Sequence, residues 1–286
     1  SVMKASEQRY IERAVRTSWA RPVIFTTMCK KPPLTALKPP EEAFSSSRTK
    51  LPLLLIMMLL LQHHILHLHQ ADLRASLIFI QLHRDIFDIF APDFEQVLTG
   101  LDYRAPELIR CLLEEIYGSK KSPRLRILDA GCGTGFCGGF LKKYSSFRGL
   151  YGVDISEKML EQAQAKKVYS HLLQSELEQY FSQAKTKFDL IVSADVFTYF
   201  GSLEKLLSGM ADSLSAGGRV IFTVSENNLN DDDYFLHSSG RYLHHQNYVG
   251  KVLEKAGFEV EKLERAKLRN EGENIVYGYV VSALKK

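Results

Sequence analysis

A chain of 286 residues at 45% hydrophobic and 24% charged has apolar material for one large domain or two modest ones, which excludes disorder throughout. Its 37 Lys+Arg against 33 Asp+Glu leave a formal net charge of +4, and without a dense basic block that gives no reason to propose nucleic acid as a partner. The charge is uneven: residues 1–75 hold 11 Lys+Arg and 5 Asp+Glu, a balance of +6, and the remainder hold 26 and 28, a balance of −2. All 18 glycines fall between Gly100 and Gly278, whereas all nine prolines lie at or before Pro123. The four cysteines, Cys29, Cys111, Cys132 and Cys137, include no C-x-x-C pair. Neither a zinc ribbon nor a disulfide scaffold is indicated, and a reducing, cytoplasmic setting is expected.

Residues 1–50 mix basic residues with the pairs Pro32-Pro33 and Pro39-Pro40 and lack sustained apolar periodicity. They predict a short helix near 5–20 followed by linker. The basic start suits an organelle address, against which Glu7 and Glu12 count. The most apolar run, 51–61, is about 11 residues with Pro52 inside it, short of the roughly 18–20 that a membrane span needs. A helical pattern over 53–82 carries His63, His64, His67 and His69. His63 and His67 sit one turn apart, but no carboxylate or cysteine nearby completes a metal set. Residues 76–97 and 104–117 read as amphipathic helices broken around Pro92 and Gly100. The predicted organisation is a basic arm over 1–75 and a domain over 76–286, in which 76–117 form a helical cap and 124–286 an α/β core.

From Arg124 onward, short apolar runs at 125–128, 150–153, 168–173, 188–192, 220–224, 258–263 and 275–281 alternate with helical segments. The helices are expected near 137–144, 156–166, 176–182, 203–214 and 247–256. Strands alternating with helices predict right-handed crossovers and a mostly parallel, seven-stranded Rossmann-like sheet covered on both faces. The last two runs have no helix between them, so an antiparallel hairpin should close the sheet.

The strand Ile127-Leu128-Asp129-Ala130 runs into Gly131-Cys132-Gly133-Thr134-Gly135 and then a helix. Glycines at alternate positions allow a tight turn and close approach of a ligand, at the sheet edge where nucleotide-like ligands bind. Gly133, Gly135 and Gly138 also satisfy G-x-G-x-x-G, with Asp154 following at dinucleotide-like spacing. Three features decide against a dinucleotide and an NAD-dependent dehydrogenase. Asp129 would repel a pyrophosphate yet suits an ammonium or sulfonium. The run Phe188 to Asp195 ends the fourth strand on another acid. A Gly217-Gly218 turn then leads into the fifth strand, and the antiparallel pair closes the chain.

With these motifs in this order, residues 124–283 resemble a class I S-adenosylmethionine (SAM)-dependent methyltransferase. The resemblance implies that Asp129, Gly131, Gly133 and Gly135 wrap the methionine part of the cofactor. It implies that Asp154 takes both ribose hydroxyls, as a carboxylate can, and that Ile155 packs on adenine. Ser175, Glu176 and Leu177 would contact the adenine amino group, and Asp195 and Val196 would border the transferred methyl. Asp154 and Glu176 have plainer readings too, as a helix N-cap and a surface helix residue. Upstream, Arg74-Ala75-Ser76, the run Phe87 to Phe94, the run Tyr103 to Ile109 and Gly240 to His244 are similar to methyltransferases that carry tetratricopeptide repeats. Residues 1–70 show no 34-residue repeat, and Phe90 stands where that group leads one to expect tyrosine.

The expected activity is methyl transfer to a small or medium-sized acceptor, oxygen-directed and partly apolar. The alternatives are a protein methyltransferase reading its substrate through residues 1–75, or a non-catalytic SAM-binding assembly factor. His244, expected at the start of the helix before the sixth strand, is the first candidate base, with His237 and His245 behind it. Arg241 is the candidate grip on an acceptor carboxylate or phosphate; a salt bridge to Asp231, Asp232 or Asp233 is the competing reading. Phe197, Tyr199 and Phe200 would line an apolar pocket or the core.

Overall fold

The computed structural model describes residues 73–118, 124–272 and 274–286. The expected helix near 5–20 and the histidines at 63–69 lie outside the described residues. Helix α1, Leu73–Phe90, ends where Pro92 forces a single 3-10 turn over Ala91–Asp93. Helix α2, Phe94–Gly100, and helix α3, Ala105–Tyr117, follow. The helix breaks thus fall at Pro92 and Gly100, as the sequence predicts.

The core alternates β1 Leu125–Ala130, α4 Gly138–Tyr144, β2 Ser145–Asp154, α5 Glu157–Ala165, β3 His171–Gln174, α6 Leu177–Gln183 and β4 Phe188–Ser193. It continues through α7 Glu204–Ser213, β5 Leu214–Ser225, a small hairpin of β6 Tyr234–Leu236 and β7 Tyr242–His244, and α8 Gln246–Lys255. The long strands β8, Phe258–Glu271, and β9, Asn274–Lys285, close it. The seven-stranded sheet has the order β3-β2-β1-β4-β5-β9-β8. Pairing is parallel from β3 through β5 and antiparallel for β5 with β9 and β9 with β8. The Rossmann-like sheet and its terminal antiparallel pair are as expected.

Consecutive strand residues face opposite cores, the reason these strands read as unbroken apolar runs. Ile127, Leu190 and Ile221 pack with Ile109, Leu113 and Leu141 on one face. Leu128, Ile191 and Phe222 pack with Phe181, Leu207 and Val252 on the other. No helix among the described residues is long and apolar enough to cross a membrane. Chain order reverses around β1 and β4, the switch point at whose carboxyl edge an α/β sheet opens a crevice.

Candidate active site

A cavity of about 630 Å³ opens at that edge, within the roughly 300–1,000 Å³ of small-molecule sites. Strand β1 delivers Asp129 and runs into the glycine loop. Gly131 has φ +76°, and a Cβ there would lie 2.4 Å from Val196 Cγ2, so glycine is required on two counts. Gly133, at φ +52°, turns its amide onto Asp154.

Asp154, at the end of β2, is held by two backbone amides: Gly133 N donates to Oδ2 at 2.8 Å and Ser156 N to Oδ1 at 2.9 Å. Burial nevertheless pushes its carboxyl up to about 6. Asp129 is 2% exposed and accepts from Tyr169 Oη at 2.6 Å. Burial, with the Asp154 charge adding to it, pushes Asp129 up to about 7. A buried acid and a half-buried one, both met only by neutral donors, fit a ligand that brings hydroxyls and a cation.

Asp195 follows β4 in the left-handed region at φ +57°. Its amide donates to Thr223 Oγ1, and its carboxylate takes Arg269 Nη1 at 2.9 Å on both oxygens. Ile155, Leu177 and Val196 supply apolar lining. Glu176 caps α6, accepting from Glu178 N at 2.9 Å and Gln179 N at 2.7 Å, while still lining the cavity. Asp129, Gly131, Gly133, Asp154, Ile155, Glu176, Leu177, Asp195 and Val196 therefore surround one cavity. Gly135 stands behind it, where a Cβ would lie 2.9 Å from Tyr169.

Residues 128–222 match the family model described as a methyltransferase domain. The matched stretch holds the glycine loop and the acids Asp129, Asp154 and Asp195. The chain is 44% identical over 87 residues to methyltransferase-like protein 27 of Homo sapiens, covering 30% of this chain and 34% of that protein. It is 35% identical over 104 residues to a malonyl-[acyl-carrier protein] O-methyltransferase of Brevibacillus brevis, covering 34% of this chain and 37% of the relative. The chain thus spans little more than a third of the length of these curated relatives. Among solved structures, magnesium protoporphyrin IX methyltransferase from Synechocystis PCC 6803 with bound SAH shares the fold. Its TM-score is 0.55 at 20% identity, over 72% of this chain and 99% of that one. The same enzyme is also solved with bound SAM, at a TM-score of 0.55 and 19% identity. The residues present fit SAM: the two raised carboxylates face a cradle that a Cβ at Gly131 would obstruct.

Aromatic rings supply much of the remaining lining. The cap contributes Ile80, His83, Phe87 and Phe94, and the core contributes Tyr199, Phe200, Tyr234 and Tyr242. Sequence reasoning missed the cap residues as site residues, although the amphipathic period of 76–97 was the signal that one face is turned inward. His83 and Phe87 both meet Tyr199 edge-on, at 5.4 and 5.5 Å. Phe197 instead stacks on Phe222 at 4.2 Å within the core.

Arg241 lines the cavity and pairs through Nη1 with Glu271, not with Asp231, Asp232 or Asp233. Glu271 also accepts from Arg269, so a continuous chain of charge runs Asp195–Arg269–Glu271–Arg241. His244 is placed differently from the expectation. It lies in β7, fully buried and outside the cavity lining, with Nε2 donating to Gly201 O at 2.9 Å. Burial pushes its imidazole down to about 4. The β6–β7 pairing draws it inward between Tyr234 and Tyr248. The helix starts later, with His245 as its cap, accepting from Asn247 N at 3.2 Å. His237 is engaged with Ser239 at 2.9 Å.

Proposed function

We propose that the chain transfers a methyl group from SAM to an oxygen nucleophile on a small or medium-sized, partly apolar acceptor. The observation that carries this reading is one cavity lined both by Asp129, Asp154 and the glycine loop and by aromatic rings and Arg241. SAM supplies an electrophilic methyl group on a sulfonium. Asp154 would take the ribose hydroxyls, Asp129 would face the ammonium, and Ile155 and Leu177 would hold adenine. Tyr199, Phe200 and Phe87 would keep water out and align an apolar acceptor, an effect that can supply roughly 7–11 kcal/mol. Arg241 would hold an anionic group of the acceptor through the part of its guanidinium that Glu271 leaves uncovered. Where the acceptor is a hydroxyl, His83, which lines the cavity, replaces His244 as the group to test for proton removal.

The O-methyltransferase name of the Brevibacillus brevis relative supports the oxygen-directed choice. The same reading keeps the chain beside the tetratricopeptide-repeat-associated methyltransferases, supported by the cap segments at 87–94 and 103–109. A cytoplasmic setting is part of the same proposal, supported by the thiols of Cys111, Cys132 and Cys137 outside any disulfide.

Calorimetry with S-adenosylhomocysteine (SAH) and with NAD tests the cofactor end: SAH binds and NAD does not. Asp154→Ala should weaken SAH about 30- to 100-fold, since a hydrogen bond to a charged group is worth roughly 1.5–3 kcal/mol. Unchanged affinity would remove the ribose assignment. Radiolabelled methyl transfer should mark metabolite fractions; label confined to protein would overturn the small-acceptor reading.

A further inference from the structure

The match to the methyltransferase family begins at residue 128, yet both amides that clamp Asp154 are backed by side chains of the cap. Beside Gly133, the fully buried Thr134 donates its Oγ1 to Glu95 Oε1 at 2.7 Å. Lys166 Nζ reaches the same carboxylate oxygen at 2.5 Å. On the other side of Asp154, Ser156 donates its Oγ to Asp88 Oδ1 at 2.6 Å. Because that proton points at the cap, the lone pairs of Ser156 Oγ are free to accept Met159 N at 3.1 Å and start α5. Lys158 N also donates to Asp88 Oδ1 at 3.1 Å. Gln162 Nε2 adds a third tie, to Ala91 O at 2.5 Å. Two carboxylates at the end of α1 and the start of α2 thus pin the two loops whose amides hold Asp154.

We propose that Asp88 and Glu95 are positioning residues for the cofactor. They keep Gly133 and Ser156 aimed at Asp154, so that its outward lone pairs are preset for the ribose, and they fasten the cap over the site. The inference rests on the reading of this cavity as the SAM site. A carboxylate accepting from a hydroxyl makes a shorter and roughly twofold stronger bond than two neutral groups do. The loop it restrains is glycine-rich and has much freedom to lose. Phe94, one residue before Glu95, stands 3.7 Å from where a Cβ on Gly133 would be. Loosening Glu95 therefore also removes the lid over that turn.

The test measures SAH affinity and dissociation on the full chain by calorimetry and stopped flow. Glu95→Ala and Asp88→Ala should each weaken SAH about 10-fold and speed its release, the consequence of losing one charge-assisted hydrogen bond. Glu95→Gln and Asp88→Asn keep an acceptor oxygen for Thr134 and Ser156 and should stay within about threefold of the parent. Thr134→Val deletes the same bond from the loop side. It should weaken SAH in the same direction but no more than Glu95→Ala, which also gives up the Lys166 tie, and the double variant should be no weaker than Glu95→Ala alone. Should the alanine variants fail to fold, Thr134→Val against the Gln and Asn variants carries the comparison. Parental SAH affinity in folded Glu95→Ala and Asp88→Ala would overturn the proposal, and so would Gln and Asn variants as damaged as the alanines. A parent chain that binds no SAH would instead defeat the cofactor reading on which it stands.

Discussion

Replacing Asp129 by Asn should stabilise the cofactor-free protein while weakening its hold on the cofactor. The carboxyl is 2% exposed and burial raises its pKa from 3.8 to about 7, against the Tyr169 hydrogen bond that lowers it. Because the folded value lies above the unfolded one, the native state keeps a proton that the unfolded chain releases. Stability present at low pH is therefore lost as pH rises from about 4 to about 7. The full gap is worth about 4 kcal/mol at pH 8, but only about 2 kcal/mol at pH 5, where the folded carboxyl is still protonated. Asparagine keeps the shape, carries no charge and still offers Tyr169 an oxygen. The variant should gain over the parent by about 2–3 kcal/mol more at pH 8 than at pH 5, or roughly 5–10 °C in Tm for a domain of this size. Thermal and urea unfolding at the two pH values measure it. A gain independent of pH, or a loss at pH 8, would refute the reasoning. Calorimetry on the same variant should show SAH binding weakened by about tenfold, because a neutral amide cannot compensate an ammonium.

Three further outcomes follow from the same geometry. Gly131→Ala combines a Cβ 2.4 Å from Val196 Cγ2 with φ +76° and should cost about 3 kcal/mol in urea unfolding, with SAH binding lost; a cost below about 1 kcal/mol would sink the steric argument. Arg269→Leu strips the buried partner from Asp195 and should cost about 3–5 kcal/mol. Pairing it with Asp195→Asn should return part of that loss, whereas strict additivity of the two would show that they do not interact. His244→Phe leaves Gly201 O without its donor and should destabilise by about 1–3 kcal/mol. It should leave the pH profile of methyl transfer in place; a displaced acid limb would return His244 to the reaction.

Much of the fold was legible because local pattern reports which faces are apolar. Ile127-Leu128, Leu190-Ile191 and Ile221-Phe222 bury both sides of their strands, and such runs stand out without reference to the rest of the chain. The pattern misjudged extent where pairing rather than apolarity carries the strand. Strand β8 was expected to end near Leu263 but runs to Glu271, because residues 264–271 pair with β9 despite their charges. The hairpin of β6 and β7 was missed for a related reason: two three-residue strands that follow an Asp-rich loop have too few alternations to register. That omission is what left His244 at a helix start in the sequence reading.

By itself the sequence determined the alternation of strands and helices, the glycine loop after β1, and the acids at the carboxyl ends of β1, β2 and β4. Each of these is a short-range property: periodicity, a missing Cβ, a carboxylate at a strand end. The tertiary structure alone decided that Arg269 is buried on Asp195, that His244 turns away from the cavity, and that Asp88 and Glu95 reach Ser156 and Thr134. Those pairs are 74, 68 and 39 residues apart along the chain. No local preference can bring them within hydrogen-bond distance. Packing of the cap against the sheet, and pairing of the terminal hairpin with it, do so, and they thereby set which charged groups face the cavity and which meet each other.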